Sequence, residues 1–207
     1  YATGAAESAQ IFPGATGRGS LPQPSAAQLA EAAQMLAGAK NPVIFAGTGV
    51  DRAGANGALL ALAEQLGCPI IPSMAGRSVV PHFHPLYFHS QSPAADDLRR
   101  HADVMLAVGT RIGNLDVPFD KYWGDPSRCR LIQVDIEPRH IGVSRPVALG
   151  IVADARTTLE GIASALQGRR LASAGRTDVA TQRAVLQGWL QAMGEHVGSW
   201  AGPGIHP

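Results

Sequence analysis

Cysteine, aromatic residues and charge are all scarce in this sequence. Its 207 residues include two cysteines, 5% aromatic residues and 16% charged residues. Two cysteines without a nearby metal-ligand pattern exclude a disulfide scaffold and favour buried thiols in a reducing, cytoplasmic setting. The 17 basic and 16 acidic residues give a net charge of +1. Since no basic cluster is present, we expect no nucleic-acid partner.

Signatures of membrane attachment and of common catalytic sites are missing as well. No apolar run reaches the roughly 20 residues that cross a membrane, and no signal peptide is visible. The sequence has no P-loop, no G-x-S-x-G elbow and no H-E-x-x-H motif. His82, His84 and His89 have no cysteine or carboxylate beside them, which favours a solvated loop over a metal site. By itself the sequence predicts no complete catalytic apparatus.

Short apolar runs alternate with amphipathic segments along most of the chain. Such runs, bounded by glycine or proline, are typical of strands that are buried on both faces. The alternation predicts an α/β fold, a Rossmann-like open parallel sheet of about six strands with helices on both faces. The predicted strands include 42–46, 69–71, 104–108, 131–134 and 147–152.

Composition divides the chain into three parts. Residues 1–24 are rich in Gly, Ala, Ser and Pro, which is typical of a linker. Residues 25–167 form the predicted α/β domain, and Ser25 is the predicted cap of its first helix. Residues 168–207 are predicted to be a connecting helix followed by a second linker.

The residues just beyond the strand ends are the candidates for ligand binding, because open parallel sheets bind ligands there. Glycines allow a close approach to phosphate, arginines can pair with phosphate oxygens, and a carboxylate can accept ribose hydroxyls. Each feature also has a structural alternative: a tight turn, a surface ion pair or a helix cap, the cap being favoured for Asp154. The candidates are Gly47, Thr48, Gly49, Arg77, Gly109, Thr110, Arg111, Asp135 and Asp154.

One long run and several later segments resemble a known family. The run Ala-Lys-Asn-Pro-Val-Ile-Phe-Ala-Gly-Thr-Gly-Val at 39–50 is similar to the opening of the central domain of thiamine-diphosphate-dependent enzymes. That family includes acetolactate synthase, pyruvate oxidase, benzoylformate decarboxylase, glyoxylate carboligase and oxalyl-CoA decarboxylase. Further landmarks follow in order at 66–69, 74–81, 84–86, 102–111, 132–138 and 151–155.

The resemblance, which spans about residues 28–166, implies that this domain is one part of a longer enzyme. In the family it lies between a pyrimidine-binding and a pyrophosphate-binding domain, which hold thiamine diphosphate and Mg²⁺ in homo-oligomers. Residues 1–24 and 168–207 would be the connections to them, with 205–207 at the entry to the third domain. The resemblance thus implies a carboligase or decarboxylase acting on a 2-oxo acid, with no catalytic residue on this chain and no activity in isolation.

The resemblance leaves three ligand states open for this domain: FAD, an adenine nucleotide or no ligand. The segments 47–49 and 109–111, with Asp135 and Ile136, match by position the dinucleotide contacts of the FAD-binding members. Residues 87–93, however, lack the glycine-rich segment of those members, and their bulky side chains are expected to crowd a flavin.

Two other functions remain alternatives. The first is a non-catalytic scaffold or oligomerisation domain without a ligand. The second is an independent NAD-binding domain. Against the second, Arg52 stands where a dinucleotide fingerprint needs its third glycine, and no catalytic His or Cys is recognisable.

Overall fold

The computed structural model describes residues 20–113, 123, 125–172 and 179–199. The predicted linker residues 1–19, most of the loop between the third and fourth strands, and residues 200–207 lie outside this part. The helices are α1 (Ala26–Gly38), α2 (Thr48–Arg52), α3 (Asn56–Leu66), α4 (Pro93–His101), α5 (Ala155–Ala165) and α6 (Val179–Gly198), with a 3₁₀ turn at Pro138–His140. The strands are β1 (Pro42–Ala46), β2 (Ile70–Pro72), β3 (Val104–Val108), β4 (Arg130–Asp135) and β5 (Leu149–Val152).

The strands form one open sheet in the order β2-β1-β3-β4-β5, and every pair is parallel. The open parallel α/β fold is therefore confirmed, with five strands in the described part of the chain where about six were expected. Beyond β2, Tyr87 adds a single parallel bridge to Ile70. The chain moves outward from β1 to β2 and then crosses to β3, so the strand order reverses between β1 and β3.

Local sequence signals explain where several elements begin and end. Ser25 caps α1 as predicted, since its hydroxyl accepts a hydrogen bond from the Gln28 N–H and the Gln28 side chain accepts one from the Ser25 N–H. Gly67 ends α3 in a left-handed conformation at φ 58°. All residues of β1 and β3 are buried, as expected for strands covered on both faces.

Helices cover both faces of the sheet, as predicted. On one face α1, α3 and α5 enclose the larger core, which includes Leu36, Leu59 and Leu159. On the other face α4 and α6 pack together over a smaller core around Phe45 and Phe88. None of the described helices combines the length and the hydropathy needed to span a membrane.

Helix α6, predicted as a connector, lies against α4 in the structure. Leu186 is only 1% exposed in the smaller core. The Gln182 amide donates to the Asp97 carboxylate at 2.8 Å, and the Arg183 guanidinium donates to the Tyr87 carbonyl at 2.8 Å. The first half of α6 is thus held to the α/β domain by apolar and polar contacts, while the boundary at 167/168 stays a prediction.

Candidate functional site

The point of strand reversal is filled by glycine backbone. The N–H of Gly47 donates to the Val108 carbonyl at 2.9 Å, and the N–H of Gly49 donates to the Gly109 carbonyl at 3.0 Å. A Cβ on Gly47 would lie 2.3 Å from the Gly109 carbonyl oxygen. The turn after β1 and the loop after β3 therefore touch backbone to backbone, which no larger residue at these positions permits.

This packing gives the Gly-Thr-Gly pattern a structural role of its own. Phosphate-binding turns offer free N–H groups at the start of a helix, whereas here the Gly47 N–H is paired with the last residue of β3 and the Gly49 N–H with the loop after it. The helix that follows, α2, has only five residues. Ligand contacts by Gly47, Thr48 and Gly49 stay a prediction, and the observed geometry uses these glycines to join two loops.

The loop after β3 carries Arg111 and a backbone in an unusual conformation. Gly109 has a φ of 61°, and Ile112 has a φ of 56°, a region that β-branched residues rarely enter. The Thr110 hydroxyl accepts a hydrogen bond from the Ile112 N–H at 3.1 Å. Thr110 and Ile112 are buried and Arg111 is exposed, so the turn leaves the guanidinium on the surface.

The end of β4 presents a carboxylate beside an exposed apolar side chain. Asp135 is 7% exposed and Ile136 is 51% exposed. Asp135 Oδ1 accepts the Glu137 N–H at 2.9 Å and lies 3.2 Å from His140 Nδ1. The following 3₁₀ turn is capped by the Glu137 side chain, which accepts the Arg139 N–H. The cap proposed as an alternative role for Asp135 is therefore provided by Glu137.

Asp154 and Arg77 lie at opposite edges of the sheet, because one follows β5 and the other follows β2. Asp154 Oδ1 accepts the Thr157 N–H at 3.0 Å and caps α5, so the favoured capping role is confirmed. Arg77 is exposed. Burial lowers the pKa of His89, and the positive charge of Arg77 lowers it further. Four strand spacings of about 4.8 Å put the two strand ends roughly 19 Å apart. The residues next to Arg77 and Asp154 contact the central strand ends, since a Cβ on Gly76 would lie 3.0 Å from the Gly47 Cα and the Ala153 N–H donates to the Asp135 carbonyl at 3.1 Å.

The side chains of segment 87–93 pack against the two cores and against α6. Tyr87 and Phe88 are 5% and 0% exposed and belong to the two cores. The His89 ring lies 5.4 Å from the Trp189 ring, and the Ser92 hydroxyl caps α4 by accepting the Ala95 N–H. These side chains help attach α6 to the domain, and their crowding of a flavin stays a prediction.

Two residues that connect the candidate loops were not singled out from the sequence. Gln133, a residue of β4 that is 1% exposed, forms hydrogen bonds with the loop after β3 and with the connection after β4. The Ser144 hydroxyl donates to the Ile112 carbonyl at 2.7 Å. A glutamine within an apolar strand is the signal that could have identified the first, since a buried amide needs partners. Ser144 carries no comparable signal.

The described residues do not supply a cofactor-metal site. Within 20–113, 123, 125–172 and 179–199, no group of three or more His, Cys, Asp or Glu side chains is arranged to hold a metal ion. These residues therefore offer no preformed cluster of three or more side-chain ligands on which a metal ion could be held.

The Cys129 thiol is expected to react slowly with alkylating reagents. Burial first, and the Asp103 carboxylate second, raise the pKa of Cys129 from its ordinary value of 9.0 to about 11. At pH 8 its thiolate fraction should fall about 100-fold below that of an unperturbed cysteine. We expect iodoacetamide labelling, followed by mass spectrometry, to be slow in the folded chain and fast in urea. Rapid labelling of folded protein at pH 8 would contradict this environment.

Comparison with known proteins gives the same assignment along most of the chain. Residues 29–162 match the family model for the central domain of thiamine pyrophosphate enzymes. A sulfoacetaldehyde acetyltransferase from Rhodobacter capsulatus is 40% identical over 156 residues, which cover 70% of this chain and 25% of that protein. A "probable acetolactate synthase large subunit" from Methanococcus aeolicus is 33% identical over 144 residues, covering 65% of this chain and 23% of that protein.

A solved structure supports the fold. Benzoylformate decarboxylase from Polynucleobacter necessarius superposes with a TM-score of 0.58 at 21% identity, over 72% of this chain and 28% of that one. The chain spans about a quarter of the length of the curated relatives it matches. The family model covers all five strands, the point where the strand order reverses, and most of every helix except α6. This chain therefore belongs to the thiamine pyrophosphate enzymes, and it matches their central domain.

Proposed function

We propose that this chain is the non-catalytic central domain of a thiamine-diphosphate-dependent carboligase or decarboxylase that acts on a 2-oxo acid. The names of the relatives support this reaction class, since they include an acetyltransferase and an acetolactate synthase. In this proposal thiamine diphosphate and Mg²⁺ bind to the flanking pyrimidine-binding and pyrophosphate-binding domains. The domain acts as a scaffold between them in a homo-oligomer, and the isolated chain is inactive.

The observation that carries the scaffold role is the glycine contact at the strand reversal. In open parallel sheets this point is where a ligand crevice forms. Here Gly47 and Gly49 donate their N–H groups to the carbonyls of Val108 and Gly109, so these two N–H groups are not free to bind phosphate oxygens. A domain closed in this way supplies a rigid sheet rather than a phosphate cradle.

A second candidate, an adenine nucleotide or FAD bound near the ends of β3 and β4, is favoured by one observation. Asp135 uses Oδ1 for the Glu137 N–H, and its Oδ2 makes no hydrogen bond to the described residues. The exposed Ile136 beside it could contact a planar ring, and the exposed Arg111 could pair with phosphate. This site would use the β3–β4 edge of the sheet and not the glycine turn.

Equilibrium dialysis with FAD, ADP and CoA separates the two candidates. The scaffold role predicts no binding tighter than about 100 µM, which corresponds to about −5.5 kcal/mol. Tight binding of any one of the three would overturn the empty scaffold. In that case D135N and R111Q should weaken binding about tenfold or more, because each removes a charged partner, and the exposed Arg170→Gln variant should bind unchanged.

The activity of the whole protein is tested on the full-length gene product that contains this chain. We expect turnover that depends on thiamine diphosphate and Mg²⁺, with a 2-oxo acid such as pyruvate as donor. Sulfoacetaldehyde is included as a substrate because a relative is named for it. A full-length protein that consumes sulfoacetaldehyde but no 2-oxo acid when loaded with both cofactors would contradict the 2-oxo acid donor, and one that consumes neither would contradict the proposed reaction class.

A further inference from the structure

Gln133 is a fully paired amide in the interior of the sheet. It lies in β4, aligned with Ala107 of β3 and Gly150 of β5, and is 1% exposed. A buried amide without hydrogen-bond partners destabilises a fold by up to several kcal/mol. Here the two protons of Nε2 and one lone pair of Oε1 are used, which fixes the orientation of the side chain.

The three partners of Gln133 belong to two different loops. Its Nε2 donates to the Thr110 carbonyl at 3.3 Å, in the loop after β3. The same nitrogen donates to the His140 carbonyl at 3.0 Å, and Oε1 accepts the Gly142 N–H at 2.9 Å, both in the connection after β4. One side chain therefore joins two loops. Its partners Thr110 and His140 are 30 residues apart in the sequence.

A second connection joins the same two loops nearer the surface. The Ser144 hydroxyl, in the connection after β4, donates to the Ile112 carbonyl at 2.7 Å. Ile112 has a φ of 56°, and a bulky residue keeps such a conformation only where its surroundings determine it. Among the described residues, Ser144 and Thr110 provide the side-chain hydrogen bonds that hold it.

We propose that Gln133 and Ser144 are positioning residues that couple residues 109–113, directly after β3, to residues 136–148, directly after β4, so that these two segments move as one unit. Arg111 lies in the first segment, and Ile136 begins the second directly after Asp135, so the coupling sets the distance between them. A partner or ligand that contacts either loop then orders both. Only this last consequence rests on the proposed function, because the coupling itself exists without a ligand.

Hydrogen exchange of single amides, followed by NMR in the full 207-residue chain, tests the coupling without any ligand. Gln133→Leu keeps the size of the side chain and removes its bonds. We expect the Gly142 amide, which loses its acceptor, and the Ile112 amide in the other loop both to exchange on the order of tenfold faster. The control is Gln65→Leu, which replaces an exposed glutamine whose amide also donates to a backbone carbonyl, that of Ala163 at 3.2 Å. In the control both amides should be unchanged.

Ser144→Ala keeps the experiment decisive if Gln133→Leu does not fold. Ser144 is exposed, so its replacement leaves the cores intact. We expect faster exchange at the Ile112 amide, recovery with Ser144→Thr, which keeps a hydroxyl, and no change with the exposed control Ser78→Ala. Unchanged exchange at Ile112 in both Ser144→Ala and a folded Gln133→Leu would overturn the coupling. Failed nucleotide binding would bear only on the proposed ligand.

Discussion

Gly109→Ala is expected to cost about 3 to 5 kcal/mol of unfolding free energy, from a left-handed conformation and a backbone clash together. Gly109 has a φ of 61°, and its Cβ would lie 2.7 Å from both the Gly49 Cα and the Val50 nitrogen. Neither of these is the end of a flexible side chain, so the two loops must separate. For a chain of this size the midpoint of thermal unfolding should fall by about 6 to 20 °C, measured by calorimetry or circular dichroism.

Two other glycines provide matched controls for the two causes. Gly54 has a φ of 60° with open space around its Cβ position, so Gly54→Ala should cost only the conformational part, about 1 to 2 kcal/mol. Gly57 lies in α3 with neither constraint, and Gly57→Ala should stabilise by up to about 1 kcal/mol. If Gly109→Ala costs no more than Gly54→Ala, the contact between the two loops does not hold the strand ends together.

Leu186→Ala is expected to destabilise the domain by about 2 to 4 kcal/mol, because it leaves a cavity in a packed core. Leu186 is 1% exposed and lies with Phe88 and Leu98 in the smaller core. The measurement is the free energy of unfolding from urea denaturation, with the slope compared between variants. This loss is predicted only if α6 is an integral part of the folded domain.

Leu190 on the same helix is the matched control. It is 49% exposed, so the same chemical change one turn away should alter stability by no more than about 0.5 kcal/mol. Equal, small effects of Leu186→Ala and Leu190→Ala would show that α6 is a detached connector and would support a domain boundary at residue 167. A large effect at Leu186 alone would move that boundary past α6.

The fold class and most element positions could be predicted from the sequence because they depend on short-range patterns. Short, fully apolar runs such as 104–108 are typical of strands covered on both faces, and the structure places β3 there. The Ser25 cap was likewise visible, since a cap involves residues within one helical turn. The family resemblance was visible for the same reason, as ordered local motifs.

The candidate site was less predictable, because its residues have more than one use. A glycine pair after a strand suits a phosphate, but it equally suits a close backbone contact, and the close contact becomes visible only with the position of Gly109. Asp154 and Asp135 are both carboxylates at strand ends, and in the sequence each is a candidate for ligand binding with a helix cap as its structural alternative. The structure uses one to cap α5, and it assigns the cap after β4 to Glu137 in place of Asp135.

The sequence alone determined that this protein is an open parallel α/β domain of the thiamine-diphosphate enzyme type, since apolar periodicity and motif order are properties of neighbouring residues. Tertiary structure decided that the strand order reverses between β1 and β3, that the glycines there touch each other, and that Gln133 joins the loops after β3 and β4. These features arise from residues far apart in the chain. Their physical basis is backbone close packing and the pairing of a buried amide, which become defined only when the sheet has formed.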